Sequence, residues 1–275
     1  MVGTVPSDNC KQKPTKLVYP TDYWPVSDST SQKVFEDYVQ KMERYLGVER
    51  TSINLGELWK KTNPVGTDEC LEDYLEHVFE WVANPDQWTT FLKDFLEEYE
   101  AYYGHSPALN PQLQFKRYVR MNHKKGVELM QTFRIWYEDN VVPASVNGCS
   151  ETLLVLPWSN GAPDYRDKYR ESAQKFAKFT GVRFFFYNIS PYTQSPELIL
   201  PVGQTPFQSR FSGREEWLPV GLSVVGGRGG DVMLADLVAD LKSEFSQDVD
   251  DCVLVNRDRD QRQEILHEAL VGAVR

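Results

Sequence analysis

What this sequence lacks narrows it first. Cysteine is scarce: Cys10, Cys70, Cys149 and Cys252 stand far apart in 275 residues, with no C-x-x-C. That spacing argues against a zinc site or a disulfide framework and favours a reducing compartment. The four histidines, His77, His105, His123 and His267, have no partners at metal-ligand spacing, so no metal is expected. There is no G-x-S-x-G, which removes the nucleophile elbow of an α/β-hydrolase. Two serines never stand adjacent, and no Gly-Gly-Ser stretch occurs. No apolar run approaches the roughly 18 residues that span a bilayer, and the first residues carry no apolar signal core. A cytoplasmic, membrane-free chain is the expectation. Positive charge is also short, with 30 Lys and Arg against 40 Asp and Glu and a net charge of −10. A general nucleic-acid binder needs a basic face, so nucleic acid is excluded as a partner. No dinucleotide or P-loop motif fits the residues, and no cofactor is expected.

What is present is a globular composition, 41% apolar and 13% aromatic, enough for one sizeable core. Residues 1–15 read as a loose polar leader. Residues 16–19 (KLVY) form a short strand, and one of several N-caps in 28–31 opens a helix. Val34, Phe35, Tyr38, Val39, Met42, Tyr45 and Leu46 share a face of that helix, which Gly47 ends. A second strand is expected near 52–54. The stretch 67–140 reads as a helical insert. Leu71, Tyr74, Leu75, Val78, Phe79 and Val82 make one stripe, and Asn84-Pro85 and Asn110-Pro111 each read as an N-cap with proline opening a new helix. Gly126 is a candidate break in the last of these. From residue 152 the pattern changes. Continuous apolar runs at 152–158, 183–187, 197–203 and 218–225 read as buried strands, the last two as an antiparallel pair. A helix is expected over 162–180, and Asp231 is expected to cap another. Residues 246–275 form a charged tail with one candidate strand at 252–255 and a final helix. Strands interleaved with helices predict an α/β fold, a mixed twisted sheet flanked by helices, in a single domain over 16–245.

Two places invite a ligand. The loop after the 152–158 run, PWSNGAPDY, leaves the end of a buried strand, where ligands of α/β sheets gather. Trp158 there offers an apolar wall, and Ser159 and Asn160 offer directed hydrogen bonds, although the same residues read first as the lead-in to a helix. Gly226, Gly227, Gly229 and Gly230 lie between a strand and a helix, where backbone N–H groups can hold an anion, or where a tight turn simply needs glycine. Cys149, after Gly148, is a nucleophile only if a base stands near it. The carboxylates Glu97, Glu98 and Glu100 read as the wet side of a helix.

Several blocks, in order, resemble fungal amidase-signature proteins: KLVYPTDYWPVSD at 16–28, FEDYVQKMERYLGVERTSINLGELW at 35–59, LLVLPWSNGAPDYRDKYR at 153–170, and residues 200–240. The likeness covers roughly 14–245 and concerns the scaffold. In that family a lysine and two serines hydrolyse amides, and all of them lie upstream of the segment that 16–28 resembles. No catalytic residue is therefore carried over to this sequence. What the resemblance implies is the back part of the amidase-signature fold without the front part that carries the chemistry. A truncated amidase-family protein, not catalytically competent alone, is the first expectation. Alternatives are a subunit of a composite amidase with the nucleophile on another chain, and a repurposed enzyme of fungal secondary metabolism. The resemblance further implies uncovered sheet edge and apolar faces. They would be met by self-association or by an amidase front-part chain, with a small amide as ligand.

Overall fold

In a computed structural model, residues 10, 12–109, 122–165, 167 and 184–245 are described. The first unit is strand–helix–strand. β1 (Lys16–Pro20) is followed by α1 (Ser29–Leu46) and β2 (Arg50–Ile53), and the two strands pair in parallel. The ends of α1 are set locally. Asp28 Oδ1 accepts from the Ser31 N–H at 2.7 Å, and Gly47 closes the helix at φ 71°. A stack of helices follows: α2 (Leu55–Thr62), α3 (Leu71–Tyr74), α4 (Val78–Gln87), a π-helical turn (Trp88–Leu92) and α5 (Lys93–Tyr103). α6 (His123–Asn140) then leads into β3 (Thr152–Asn160). A 3₁₀ turn (Phe186–Asn188) and α7 (Ile189–Thr193) precede a long hairpin, β4 (Glu197–Gln208) and β5 (Glu215–Val225), and α8 (Asp231–Glu244) closes the described chain.

The described strands form one mixed sheet in the order β2-β1-β3-β5-β4. β3 lies at its centre, parallel to β1 and antiparallel to β5, and residues 152–156 are all buried. Alternation along the strands separates two cores. On one face Leu17, Leu153, Val155, Leu222 and Val224 pack with Phe35, Val39 and Met42 of α1 and Leu234 and Leu241 of α8. On the other face Val18, Leu154, Leu156 and Val225 pack with Leu55 and Trp59 of α2 and Phe133, Trp136 and Tyr137 of α6. Each large side chain removed from water this way stabilises the fold by roughly 1.5–3 kcal/mol. Trp24 fastens the turn after β1 to the first core, its indole N–H donating to the Val155 carbonyl at 3.1 Å. The α/β class expected from the sequence, a mixed sheet flanked by helices, is the architecture found.

Several local expectations fail for definite reasons. Pro85 opens no helix. It lies inside α4, buried beside Asn84, and the helix runs on through a π turn into α5. A proline inside a helix removes one intrahelical donor without ending the helix here, and the π turn begins three residues after it. Gly126 does not break α6. It lets α4 and α6 approach closely, since a Cβ there would lie 2.9 Å from Trp81 Cβ. The aromatic run near 184–187 is not a buried strand, because only Phe184 is buried while Phe185 and Tyr187 are exposed around the 3₁₀ turn. Asp231 is the first residue of α8 and not its cap, which is Gly230. The expectation against disulfides also fails: Cys10 is bonded to Cys149 across 139 residues of sequence. Most of the helix expected over 162–180, the Asn110-Pro111 cap and the whole charged tail fall outside the described residues.

Candidate functional site

The two groups singled out by sequence stand at opposite ends of β3. β5 runs antiparallel to it, pairing Val225 with Leu154 and Val220 with Asn160. The glycine loop that follows Val225 is therefore near the start of β3, while Trp158, Ser159 and Asn160 are at its finish. Six strand residues separate these levels, about 20 Å. The two groups do not form one site.

At the far end of β3 the strand loses register between Pro157 and Ser159. Such an irregularity turns side chains relative to the pleat. Trp158 meets Tyr187 edge-on, with ring centroids 4.7 Å apart, and the Tyr187 hydroxyl donates to the Trp158 carbonyl at 3.3 Å. Ser159 is exposed beside Gly221 of β5. Asn160 works structurally: its carbonyl accepts from Ser31 Oγ at 2.6 Å and from Thr205 Oγ1 at 3.4 Å, and its side-chain Oδ1 accepts from the Ala162 N–H at 3.2 Å. It thereby joins the start of α1 to the β4–β5 hairpin. The exposed Ile199 lies on β4 level with Ser223 and Leu156, Trp217 lies on β5 beyond this end, and Phe211 lies on the hairpin's tip.

The glycine loop is packed against the segment 143–150. Gly227 donates to Ser150 Oγ at 2.8 Å, Gly226 to the Pro196 carbonyl at 3.0 Å, and Gly230 to the Gly227 carbonyl at 2.9 Å. Any side chain at Gly227 would collide with the Pro143 carbonyl, 2.2 Å from an added Cβ, and Gly229 sits at φ 86°. Three donors are thus committed inside the protein, and the geometry is that of a close-packed βα turn. Arg228 points away from the turn and pairs with Glu138 of α6, with Nε 2.7 Å from the carboxylate.

Cys149 is not a free thiol, because its sulfur is shared with Cys10. Sequence spacing gives no signal of this pair, since the partners lie on opposite sides of the whole helical region. The histidines are also separated. His77 lies between Glu76 and Glu80, and His123 is 3.0 Å from Asp86. No metal-ligating cluster occurs among the described residues, and no described helix is long and apolar enough to cross a membrane.

Sequence reasoning missed a polar group inside the protein. Glu197, at the start of β4, accepts a short hydrogen bond from the fully buried Ser223 hydroxyl. Burial raises its carboxyl above the ordinary value, and hydrogen bonds from Ser223 and Ser190 partly oppose this. Tyr137, wholly buried, has its hydroxyl unbonded in this neighbourhood, and burial followed by the Glu197 charge raises its pKa far above the ordinary tyrosine value. The only signals in the sequence are Glu197 and Ser223 in the otherwise apolar runs 197–203 and 218–225. A second group is Arg50, which donates to Glu36 and Glu43 of α1 at 2.7–3.0 Å and faces the Tyr19 ring at 5.0 Å. Arg50 holds both carboxyls below their ordinary values.

No protein-family model matches this chain. Among solved structures it is similar to allophanate hydrolase of Kluyveromyces lactis, at 14% identity and a TM-score of 0.48, over 86% of this chain and 33% of that one. It is similar to one subunit of the glutamyl-tRNA(Gln) amidotransferase of Thermotoga maritima, at 12% identity and a TM-score of 0.42, over 80% and 40%. A third is 6-aminohexanoate cyclic dimer hydrolase, at 14% identity and a TM-score of 0.47, over 86% and 46%. The chain therefore spans between a third and just under half of these proteins.

Proposed function

We propose that these 275 residues are the supporting part of an amidase-type scaffold and hydrolyse no amide by themselves. The observation that carries this reading is the engagement of Cys149 and of buried serines among the described residues, a set that leaves out the exposed Ser159 and the free Cys70. Cys149 is oxidised onto Cys10. Ser31 donates to Asp28 and to the Asn160 carbonyl, Ser150 donates to the Thr152 carbonyl, Ser195 accepts from Thr193, and Ser223 donates to Glu197. Each of these serines is buried. Amide hydrolysis needs a solvent-reachable hydroxyl, a base within hydrogen-bond distance and donors aimed at the developing oxyanion. The sequence blocks that resemble amidase-signature proteins are scaffold blocks, which supports the same reading.

A composite amidase is the second reading, and the far end of the sheet favours it. β4 is a twelve-residue strand at the sheet's edge, and Ile199 (47% exposed), Trp217 (47%) and Phe211 (71%) present apolar surface around it. A chain bringing serine and lysine would cover this surface, and a small amide would bind where the two meet, with Trp158 and Ser159 in the wall.

The test is a fluorophosphonate label together with ammonia release from acetamide and benzamide, on the purified chain. No labelled serine and no ammonia are expected. A labelled serine with turnover that its alanine variant abolishes would overturn the proposal. Activity that arises only on mixing with a serine- and lysine-bearing chain would decide for the second reading.

A further inference from the structure

A cavity of about 420 Å³ lies at the other side of the molecule, between the segment that carries Cys10, Gln12, Lys13 and Pro14, the end of α1, and α8. This volume suits a small molecule. Its floor is apolar, made by the buried Met233 and Leu237. The Tyr45 ring supplies one wall, and Asp236 and Asp240, both exposed, stand on the rim. The Tyr45 hydroxyl donates to Asp240 Oδ2 at 3.4 Å, which faces ring and carboxylate the same way. An aromatic face beside two carboxylates over an apolar floor attracts a cation on an apolar stem and repels an anion.

One ammonium already stands on the cavity's wall. Lys13 Nζ lies 3.7 Å from the centroid of the Tyr45 ring and donates to the Tyr45 carbonyl at 3.0 Å. Three residues before it, Cys10 is bonded to Cys149. The segment around Cys149 is tied to the far wall, because Ser145 N and Oγ donate to the Arg228 carbonyl and Gly227 donates to Ser150 Oγ, immediately before α8 begins. The bridge thus fixes the segment that carries Lys13 relative to the helix that carries the two aspartates.

We propose that this cavity is a seat for a small ammonium ligand with an apolar stem, that Lys13 Nζ holds the Tyr45 ring face against which that ammonium would sit, and that the Cys10–Cys149 bridge keeps Lys13 there. A dithiol reductant opens it. The S–S bond breaks, Cys10 and Cys149 each become a thiol, and the dithiol becomes a disulfide, so two electrons and two protons are transferred. The inference does not depend on the amidase reading.

Calorimetric titration of the full oxidised chain with hexylammonium, with hexanoate and 1-hexanol as controls, tests it. Lys13→Ala is expected to raise hexylammonium affinity at least fivefold and to leave hexanoate unbound. Adding D236N and D240N to that variant is expected to lower hexylammonium affinity at least tenfold and leave hexanol unchanged. Dithiothreitol is expected to raise hexylammonium affinity in the unsubstituted chain and to add little to Lys13→Ala, with a thermal melt confirming that the reduced chain is folded. Equal uptake of the three probes, no gain on removing Lys13, or an undiminished effect of dithiothreitol in Lys13→Ala would each overturn the proposal.

Discussion

Phe35, Tyr38, Val39, Met42 and Leu46 of α1 share one helical face, and so do Phe91, Phe95, Tyr99 and Tyr103 of the π turn and α5, each four residues from the next. The first set is buried, whereas α5 has no buried residue at all. In α5 the rings meet one another: Phe91 stacks on Phe95 at 5.6 Å, Phe95 is 5.9 Å from Tyr99, and Tyr99 is 4.4 Å from Tyr103. Helical spacing makes side chains neighbours along the helix, but only a facing layer takes them out of water. α1 has that layer in β3, β4 and β5, while α5 has no buried residue beneath its ring ladder.

Truncating one ring from each set separates the covered helix from the uncovered one. Phe35→Ala should lose about 4 kcal/mol of stability, because a fully buried phenyl leaves a cavity beneath the sheet. Phe95→Ala, at a ring 38% exposed, should stay within about 0.5 kcal/mol. Urea melts of both variants check this, and similar losses would mean that α5 is covered in solution.

A smaller effect sharpens the account of what holds α1 to its strand. Arg50→Met removes the common partner of Glu36 and Glu43 and should cost about 1–2 kcal/mol at neutral pH, the low range reflecting partial exposure of the carboxylates. Both carboxyls are depressed by Arg50, so their contribution is fully present above the ordinary value of 4.5 and fades as pH falls below it. Melts from pH 7 to pH 3 should show the gap between variant and parent closing. The smallest effect has the opposite sign. Glu197 has a raised carboxyl, so its burial costs stability at neutral pH, and the cost disappears as pH falls through the raised value toward 4.5. Glu197→Gln should raise the melting temperature at pH 7 by about 2 °C and lose that advantage by pH 4. A lower melting temperature at pH 7 would show that the Ser223 hydrogen bond outweighs the burial.

The parts legible in the sequence were those fixed by neighbouring residues. Asp28 and Gly47 bracket α1 within 20 residues, the 152–158 run can only be a covered strand, and the short polar link between residues 203 and 218 implies a hairpin. The misses were of two kinds. Pro85 and Gly126 have strong local meanings that packing overrode, because the α4–α6 contact needs a surface without a side chain at one point. The disulfide, the Arg50 clamp and the Glu197–Ser223 pair join residues brought together by the fold, and nothing in their spacing announces them. The candidate site was legible only as separate strand ends. That the glycine loop and Trp158 lie at opposite ends of β3 depends on the direction of β5, which composition does not reveal.

The Cys10–Cys149 bond encloses α1, α2, the helical stack and α6 within one covalent ring. A single peptide cut anywhere inside that ring severs the backbone without releasing a fragment. Nicked molecules would keep their full mass and migrate as intact protein until the bridge is opened, and only then fall into two pieces.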